Sequence, residues 1–285
     1  MKISLIVCTR NRAAQLSRAL KRLDTGELVS EGADLVLVDS ASTDSTPSVI
    51  AEFAEHAPFP VLRCRAKLPG LGRARNEGVR HARGELLAFT DDDCYLAPNY
   101  FRELGTSFDP AQHQYGTGEM LLLDAADDAG ASGRIPARQT IPPYSLLPAG
   151  TIQGANMFAH RSAFARAGLF NEAMGTGTPF PCEDIEFAAR CSLAGLTGVL
   201  LPNVRVYHDH GRKRGSDEAK ETLRGYDAGR GAYYASLIQQ GIAGAWQLWS
   251  GNTPWSAPLE PQVIERLANE MEAAARYLRQ SGGRF

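Results

Sequence analysis

Four short apolar runs alternate with amphipathic stretches over the first hundred residues. The runs span residues 3–8, 34–38, 61–64 and 86–90. Their length and their Leu, Ile and Val content are typical of buried strands, and apolar residues three or four apart between the runs predict helices. Strands that alternate with helices at this spacing indicate crossover units. We therefore predict an α/β fold with a mainly parallel central sheet flanked by helices.

Polar side chains stand where three of these runs end. They are Thr9, Asp39 and Asp91. Because the carboxyl ends of parallel strands meet at one edge of a sheet, and ligands bind in the crevice beyond that edge, we expect the three residues to face one shared site.

Asp91, Asp92 and Asp93 follow the fourth run without a break. Adjacent carboxylates repel each other unless a cation neutralises them, and hard oxygen ligands suit Mg²⁺ or Mn²⁺. An ion held there could bind a diphosphate. The alternative is a solvated turn or the cap of a following helix. The sequence leaves open which two of the three acids would bind metal.

Glycines at 70 and 72 open the helix predicted after the third run, where backbone amides can approach a phosphate. A dinucleotide fingerprint is not matched, because Arg75 stands where its third glycine belongs and the segment follows the third strand rather than the first. Arg73 and Arg75 offer guanidinium forks for phosphates; a solvated helix surface is the alternative.

The second half of the chain is less regular. We predict strands over 118–124, 151–158 and 199–210, and a helix that begins at Glu183 and Asp184 and ends near Gly195. Residues 125–143 have no period and predict a mobile surface loop. Acids in a first helical turn have an ordinary explanation, since they cap the helix and favour its dipole.

His208 and His210 lie two apart at the end of the last predicted strand. In an extended stretch they share a face and can complete a metal site, although a surface strand end is the alternative. The sequence does not choose between them.

The chain changes character after residue 211. We expect a helix over 216–240, interrupted at Gly225, Gly229 and Gly231, then a loop with tryptophans at 246, 249 and 255, and a last helix from Pro261. In that last helix an apolar stripe predicts packing on its own chain, with a dimer seam as the alternative. The stripe comprises Ile264, Leu267, Met271, Ala274 and Leu278.

Composition and charge exclude some classes of function. The 285 residues are 44% hydrophobic and 22% charged with a net charge of −2, which argues against broad nucleic-acid binding. No apolar segment approaches the roughly 20 residues that span a bilayer. Five scattered cysteines fit reduced thiols in a cytoplasm. We interpret residues 212–214 and the tryptophans as part of a plain helical cover; the alternative is that they touch a glycan or the inner face of a membrane.

Taken together, these motifs resemble the inverting glycosyltransferases of family 2, which have a Rossmann-like GT-A fold. Six segments carry the resemblance in the family's order. They are SLIVCTRN at 4–11, VLVDSASTD at 36–44, GRARNEG at 72–78, FTDDD at 89–93, ED at 183–184, and His208. The resemblance implies a GT-A domain over 1–211, with a donor-binding half at about 1–110 and an acceptor and catalytic half at about 111–211. A helical extension follows over 212–285.

The resemblance also implies residue roles. Asp184 would be the catalytic base with Glu183 in support, and Asp91, Asp93 and His208 would bind Mn²⁺ or Mg²⁺. A further set of residues, which includes Asp91 a second time, would bind the nucleotide sugar. They are Thr9, Arg10, Asn11, Asp39, Asp44, Arg73, Arg75, Asn76, Asp91, Asp92, Gly154 and Asn156.

The implied reaction is a metal-dependent single displacement. A sugar would move from a nucleotide-diphosphate donor, UDP-linked by expectation, to a hydroxyl of a glycan, a lipid-linked sugar or a small molecule, by a monomer or homodimer. One alternative is a protein that binds nucleotide sugars without turnover. Another is a sugar nucleotidyltransferase, but residues 9–12 lack the glycines that its phosphate loop needs.

Overall fold

The computed structural model describes residues 1–251 and 260–282, and within them one sheet of nine strands. The strands are β1 Ile3–Thr9, β2 Asp34–Asp39, β3 Val61–Arg65, β4 Leu86–Asp91, β5 Cys94–Leu96, β6 Tyr115–Leu122, β7 Gln139–Ile141, β8 Met157–His160 and β9 Gly198–His208. Their order in the sheet is β3-β2-β1-β4-β8-β6-β9-β5, with β7 paired to β9.

Ten α-helices accompany the sheet in the described residues. They are α1 Ala13–Lys21, α2 Thr25–Ser30, α3 Thr46–His56, α4 Leu71–His81, α5 Tyr100–Ser107, α6 Arg161–Ala167, α7 Glu183–Leu193, α8 Asp217–Gln239, α9 Ala245–Gly251 and α10 Pro261–Gln280. Short 3₁₀ turns lie at Ala129–Ala131 and Gly154–Asn156. The α/β class, the flanking helices and the helical C-terminal region are as predicted.

The N-terminal half of the sheet is parallel. β1 pairs with β2 and β4, and β2 pairs with β3. In this register Thr9 lies opposite Asp39, and Cys8 lies opposite Asp91. The three strand ends named from the sequence therefore share one edge of the sheet.

The second half of the sheet is mixed. β8 is antiparallel to both β4 and β6, whereas β6 and β9 are parallel, with a register shift between Gly118 and Glu119. The strand predicted over 151–158 forms only as β8, because Gly154–Asn156 make a 3₁₀ turn. Side chains hold that turn: Thr117 Oγ1 donates to the carbonyl of Asn156 at 2.9 Å, and Arg75 Nη2 donates to that of Gly154 at 3.0 Å. β7 also lies within the segment predicted as an irregular loop.

Helix α8 runs without the predicted breaks at Gly225, Gly229 and Gly231. Two of these glycines allow other backbone to approach closely. A Cβ at Gly229 would lie 2.2 Å from the carbonyl oxygen of Pro181, and one at Gly231 would lie 2.0 Å from that of Glu270 on α10. Packing against the segment before α7 and against α10 therefore offsets the low helix propensity of glycine.

The C-terminal helices share the main hydrophobic core. Tyr233 of α8 and Tyr277 of α10 are buried in the same cluster as Phe89 of β4 and Phe187 of α7. The apolar stripe of α10 contributes to this core through Ala274 and Leu278, as predicted, whereas Ile264 and Met271 are exposed. Trp249 packs on the cluster, and Trp255 lies outside the described residues.

Over the described ranges, none of the helices combines the length and apolarity that crossing a bilayer requires.

The glycines of α8 give a stability prediction within one helix. Gly231→Ala should lower the free energy of unfolding by about 1–3 kcal/mol, because its methyl group would overlap the α10 backbone. Gly225→Ala is the matched control: nothing lies within 4 Å of a Cβ there, so it should raise stability by about 0.5–1 kcal/mol. Urea unfolding of both variants measures the difference. Equal effects would show that α8 and α10 do not pack closely.

Candidate active site

Two adjoining cavities open at the carboxyl edge of the parallel strands. The larger has a volume of about 630 Å³ and is lined by the loop after β1, by Asp91 to Asp93 and by His208. The smaller, of about 270 Å³, holds Arg75, Glu183 and Asp184. Asp91, His208 and Tyr226 line both cavities, so the two form one continuous site.

The three consecutive aspartates point to different partners. Asp92 is buried, accepts a hydrogen bond of 2.6 Å from Thr9 Oγ1 and lies 2.9 Å from Arg12 Nε. Burial raises the pKa of Asp92 to about 6, although Arg12 and Thr9 act against this. Asp91 is the most open of the three, with 35% of its side chain exposed. Asp92 therefore ties β4 to the loop after β1, and Asp91 faces the cavities.

Asp93 is paired with His208. Its Oδ1 lies 3.4 Å from His208 Nε2, and its Oδ2 accepts a hydrogen bond of 2.6 Å from Arg12 Nη2. Burial opposes ionisation of Asp93, but His208 and Arg12 together hold its pKa below the usual value. Asp93 and His208 thus bring together a carboxylate and an imidazole, donor types that fit Mn²⁺ or Mg²⁺, and Asp91 lines the same cavity.

Cys94 and His210 lie near this set but differ from it. Ligand atoms of Asp93, Cys94 and His208 lie within 4.8 Å of one another. Burial raises the pKa of the Cys94 thiol well above its usual value, however, and the thiolate is the form that binds metal. His210 turns away, since its Nδ1 accepts a hydrogen bond from the Arg212 N–H. The geometry thus favours His208 over His210.

The smaller cavity contains a buried ion pair. Arg75 is only 3% exposed and donates to Glu183 Oε1 at 2.5 Å. Arg75 Nη2 also lies 3.7 Å from Asp91. Burial raises the pKa of Glu183 to about 7, with Arg75 opposing the shift and Asp184 adding to it. Glu183 is therefore occupied by Arg75.

Asp184 has a different environment from its neighbour. Its Oδ2 accepts a hydrogen bond of 2.7 Å from the Gly154 N–H, and its Oδ1 accepts one from the Ile185 N–H. A Cβ at Gly154 would lie 2.7 Å from Arg75 and 2.9 Å from Asp184, so only glycine fits between them. Asp184 lines the smaller cavity and is partly exposed there. A residue that only capped the helix would not need to reach the cavity.

Of the other predicted binding residues, Arg10 and Asn11 reach the larger cavity, whereas Asp39 and Asp44 line neither cavity. Asn11 and Arg10 line the larger cavity, and Asn11 Oδ1 accepts a hydrogen bond of 2.7 Å from the Thr43 N–H. Asp44 accepts from the Thr46 N–H at 3.0 Å. Asp39 Oδ1 accepts from the Ser42 N–H at 2.8 Å.

The structure does not bring every predicted residue to the cavities. Asn156 is fully buried and donates to the carbonyls of Glu119 and Val204, both at 2.9 Å. Asn76 is buried and donates to the carbonyl of Phe170 at 3.0 Å. Both amides cross-link the backbone instead. The half-exposed Arg73 lies 3.3 Å from Glu172 and lines neither cavity.

Sequence reasoning missed three residues of the site. Arg12 pairs with two of the aspartates, and charge matching between neighbouring strand ends could have identified it. Tyr226 lines both cavities from α8, and Arg212 lines the larger one. No periodicity or motif in the region after residue 211 marks these two.

Two solved glycosyltransferase structures share this fold. A mannosyltransferase from Pyrobaculum calidifontis, PcManGT, solved with GDP-Man and Mn²⁺, aligns with a TM-score of 0.62 at 20% identity, over 98% of this chain and 79% of that one. TarS 1-349 from S. aureus with UDP-GlcNAc aligns with a TM-score of 0.58 at 17% identity, over 96% and 82%. The fold is the GT-A glycosyltransferase fold, as predicted.

Sequence comparison matches the N-terminal part of the chain to a family model and to other glycosyltransferases. Residues 4–115 match the model described as Glycosyl transferase family 2. Poly(ribitol-phosphate) beta-N-acetylglucosaminyltransferase TarS of Staphylococcus aureus (strain Mu50) is 26% identical over 151 residues, which are 52% of this chain and 25% of TarS. An uncharacterized glycosyltransferase of Nostoc sp. is 35% identical over 129 residues, 45% of this chain and 38% of that protein.

This chain thus spans less than half the length of either relative. The family-model match over residues 4–115 confirms the resemblance to family 2 that was drawn from the motifs.

The ion pair of Arg75 and Glu183 gives a pH-dependent prediction. Arg75→Met should cost about 3 kcal/mol of stability at pH 8, because it leaves a buried carboxylate without its cation. The folded-state pKa of Glu183, about 7, lies above its ordinary 4.5. Ionising Glu183 therefore reduces stability as the pH rises between these values, and Arg75 offsets part of that cost.

The loss caused by Arg75→Met should accordingly be smaller at pH 5, where Glu183 is protonated. Arg73→Met is the matched control, since that side chain is 38% exposed and should change stability by less than about 0.5 kcal/mol. Urea unfolding at both pH values measures the effect. A loss that does not depend on pH would contradict the assignment.

Proposed function

We propose that this protein is a metal-dependent inverting glycosyltransferase that moves a sugar from a nucleotide-diphosphate donor to an acceptor hydroxyl by single displacement. One observation carries the proposal: Asp93 and His208 face the larger cavity, Asp184 faces the smaller one, and Asp91 lies where the cavities join. Such a site separates leaving-group stabilisation from proton removal.

The larger cavity suits the donor nucleotide. Its volume of about 630 Å³ lies within the usual range of roughly 300–1,000 Å³ for ligand pockets. Thr9 and the exposed Arg10 border it, and Asp39 lies nearby at the same sheet edge. The buried Asp39 Oδ2 lies 3.3 Å from Arg65 Nε, so a base N–H would have to compete with that ion pair for the oxygen. UDP, GDP and dTDP are the nucleotides to compare, with UDP expected.

Asp91, Asp93 and His208 would hold Mn²⁺ or Mg²⁺. The metal would supply positive charge to the departing diphosphate as a Lewis acid. Asp92 would keep β4 and the loop after β1 together, since Thr9 and Arg12 already occupy its two oxygens. Asp91 is proposed as a ligand because it is the most exposed of the three acids, and Asp93 because one of its oxygens faces His208.

Asp184 would take the proton of the acceptor hydroxyl. General-base catalysis needs a carboxylate within reach of the substrate, and Asp184 lines the smaller cavity while Glu183 is paired with Arg75. Attack from the side of Asp184, opposite the leaving diphosphate, inverts the anomeric carbon without a covalent sugar intermediate. Acceptors to test are glycans, lipid-linked sugars and small molecules.

We further propose the division of the chain into a donor half at about 1–110, an acceptor half at about 111–211 and a helical extension. Tyr226 and Arg230 line the smaller cavity, so the extension would contribute to the acceptor side. The five cysteines form no disulfide, which supports a reducing compartment such as the cytoplasm.

Replacing the base separates chemistry from binding. Asp184→Asn should lower kcat by about 100-fold or more, because the general base is lost, while UDP binding with Mn²⁺ stays within about twofold of wild type. Release of UDP from a panel of UDP, GDP and dTDP sugars measures turnover, and calorimetry measures binding. Glu186→Gln, on the same helical turn but paired with Arg190, is the control. Normal turnover by Asp184→Asn would refute the mechanism.

Replacing a metal ligand should remove donor binding. We expect Asp93→Ala to weaken Mn²⁺-dependent UDP binding by at least about tenfold, because the cation loses one of its two carboxylate ligands. Asp209→Asn is the control: Asp209 adjoins His208, accepts a hydrogen bond from Tyr95 and lines neither cavity. UDP binding that is insensitive to EDTA in wild type would contradict the metal assignment.

A further inference from the structure

The segment that follows His208 supplies a second residue to the larger cavity. His208 ends β9, and Arg212, four residues on, lines the same cavity. Between them, Gly211 has a φ of +69° and nothing within 4 Å of a Cβ position. Pairing of β9 with β5 and β6 holds the His208 backbone, so what holds residues 209–213 determines where Arg212 lies and what packs against the His208 ring.

Residues 123–128, which we name the strap, fasten this segment from one side. The Leu123 N–H donates to the carbonyl of His208 at 3.0 Å, and the Asp128 N–H donates to the carbonyl of Arg212 at 2.8 Å. Both residues that line the cavity are thus bonded through their own backbone to the strap.

Asp127 lies at the centre of these contacts and is fully buried. Its carboxylate accepts hydrogen bonds from the Gly211 N–H at 3.1 Å and from Lys213 Nζ at 2.7 Å. Its Oδ2 also lies 3.9 Å from Nδ1 of His210. A buried carboxylate is costly unless it is paired and hydrogen-bonded, so Asp127 and this segment fix each other's positions.

The His210 ring lies next to both Asp127 and His208. Its side chain is fully buried, and its ring centroid lies 4.9 Å from that of His208 in an edge-to-face arrangement. Nδ1 accepts a hydrogen bond from the Arg212 N–H at 3.0 Å, and Nε2 lies 3.2 Å from the carbonyl of Asp128. His210 is thus a packing support for His208 rather than a competing ligand.

We propose that Asp127 is a positioning residue that holds His208 beside Asp93 and Arg212 in the larger cavity, and so controls the affinity for a divalent cation and for a nucleoside diphosphate. The proposal rests on the proposed function for the identity of these ligands. Groups that orient metal ligands typically change metal affinity by about 10–100-fold when they are replaced. Arg212 would contribute its charge to the diphosphate independently of the metal.

The test uses Asp127→Asn and two binding measurements that need no turnover. Paramagnetic resonance of free Mn²⁺ should show about tenfold weaker Mn²⁺ binding. Calorimetry with UDP in EDTA should show a loss similar to that of Arg212→Ala. Saturating Mn²⁺ should restore most of kcat, whereas a merely structural role would lower the melting temperature without changing the affinity of the folded protein.

Asp124→Asn is the matched control. Asp124 also bonds Lys213 Nζ, at 2.5 Å, but it is half-exposed and bonds neither Gly211 nor His210. It should bind Mn²⁺ and UDP within about twofold of wild type. Lys213→Ala, which removes an exposed partner of Asp127, should give about a threefold loss and replaces Asp127→Asn if that variant fails to fold.

Unchanged affinities in Asp127→Asn, or equal losses in Asp124→Asn, would overturn the proposal. A wild-type protein that binds Mn²⁺ and UDP but transfers no sugar would overturn the proposed function alone. A wild-type protein that binds Mn²⁺ no better than Asp93→Ala would overturn both.

Discussion

The site depends on two arginines that offset the negative charge of a cluster of carboxylates. Five acids meet at the edge of the parallel strands: Asp91, Asp92, Asp93, Glu183 and Asp184. Arg12 bonds two of them from the loop after β1, and Arg75 bonds Glu183 while it approaches Asp91. Without these cations, burial and mutual repulsion would favour the protonated acids.

The two arginines compensate in different environments. Arg75 is buried, so its pairing with Glu183 is hardly screened and affects stability as well as the site. Arg12 keeps 44% of its side chain exposed, and its ion pairs contribute less to stability. What Arg12 fixes is geometry: it pairs with Asp92 Oδ1 and Asp93 Oδ2, while Asp93 Oδ1 lies near His208. Because two arginines do not neutralise five acids, the remaining negative charge would attract a cation from solution.

The sequence predicted what a strand period and a sheet edge can determine. Thr9, Asp39 and Asp91 lie together because parallel strands end at one edge, and that rule needs no knowledge of side-chain packing. Asn156 shows the limit: its amide cross-links β6 and β9, and only the register of distant strands reveals this. Tyr226 could not be found either, since the orientation of α8 depends on two glycines that a propensity scale treats as breaks.

Gly154 gives the site a property that neither of its neighbours has alone. Its carbonyl accepts from Arg75 and its N–H donates to Asp184, so one residue joins the buried ion pair to the second acid of α7. A rotation of φ or ψ at this position would alter both contacts at once. The position of Arg75 and the orientation of the Asp184 carboxylate are thus coupled through a single backbone link. A redesign of the smaller cavity around Asp184 would therefore have to preserve the geometry of Arg75 as well.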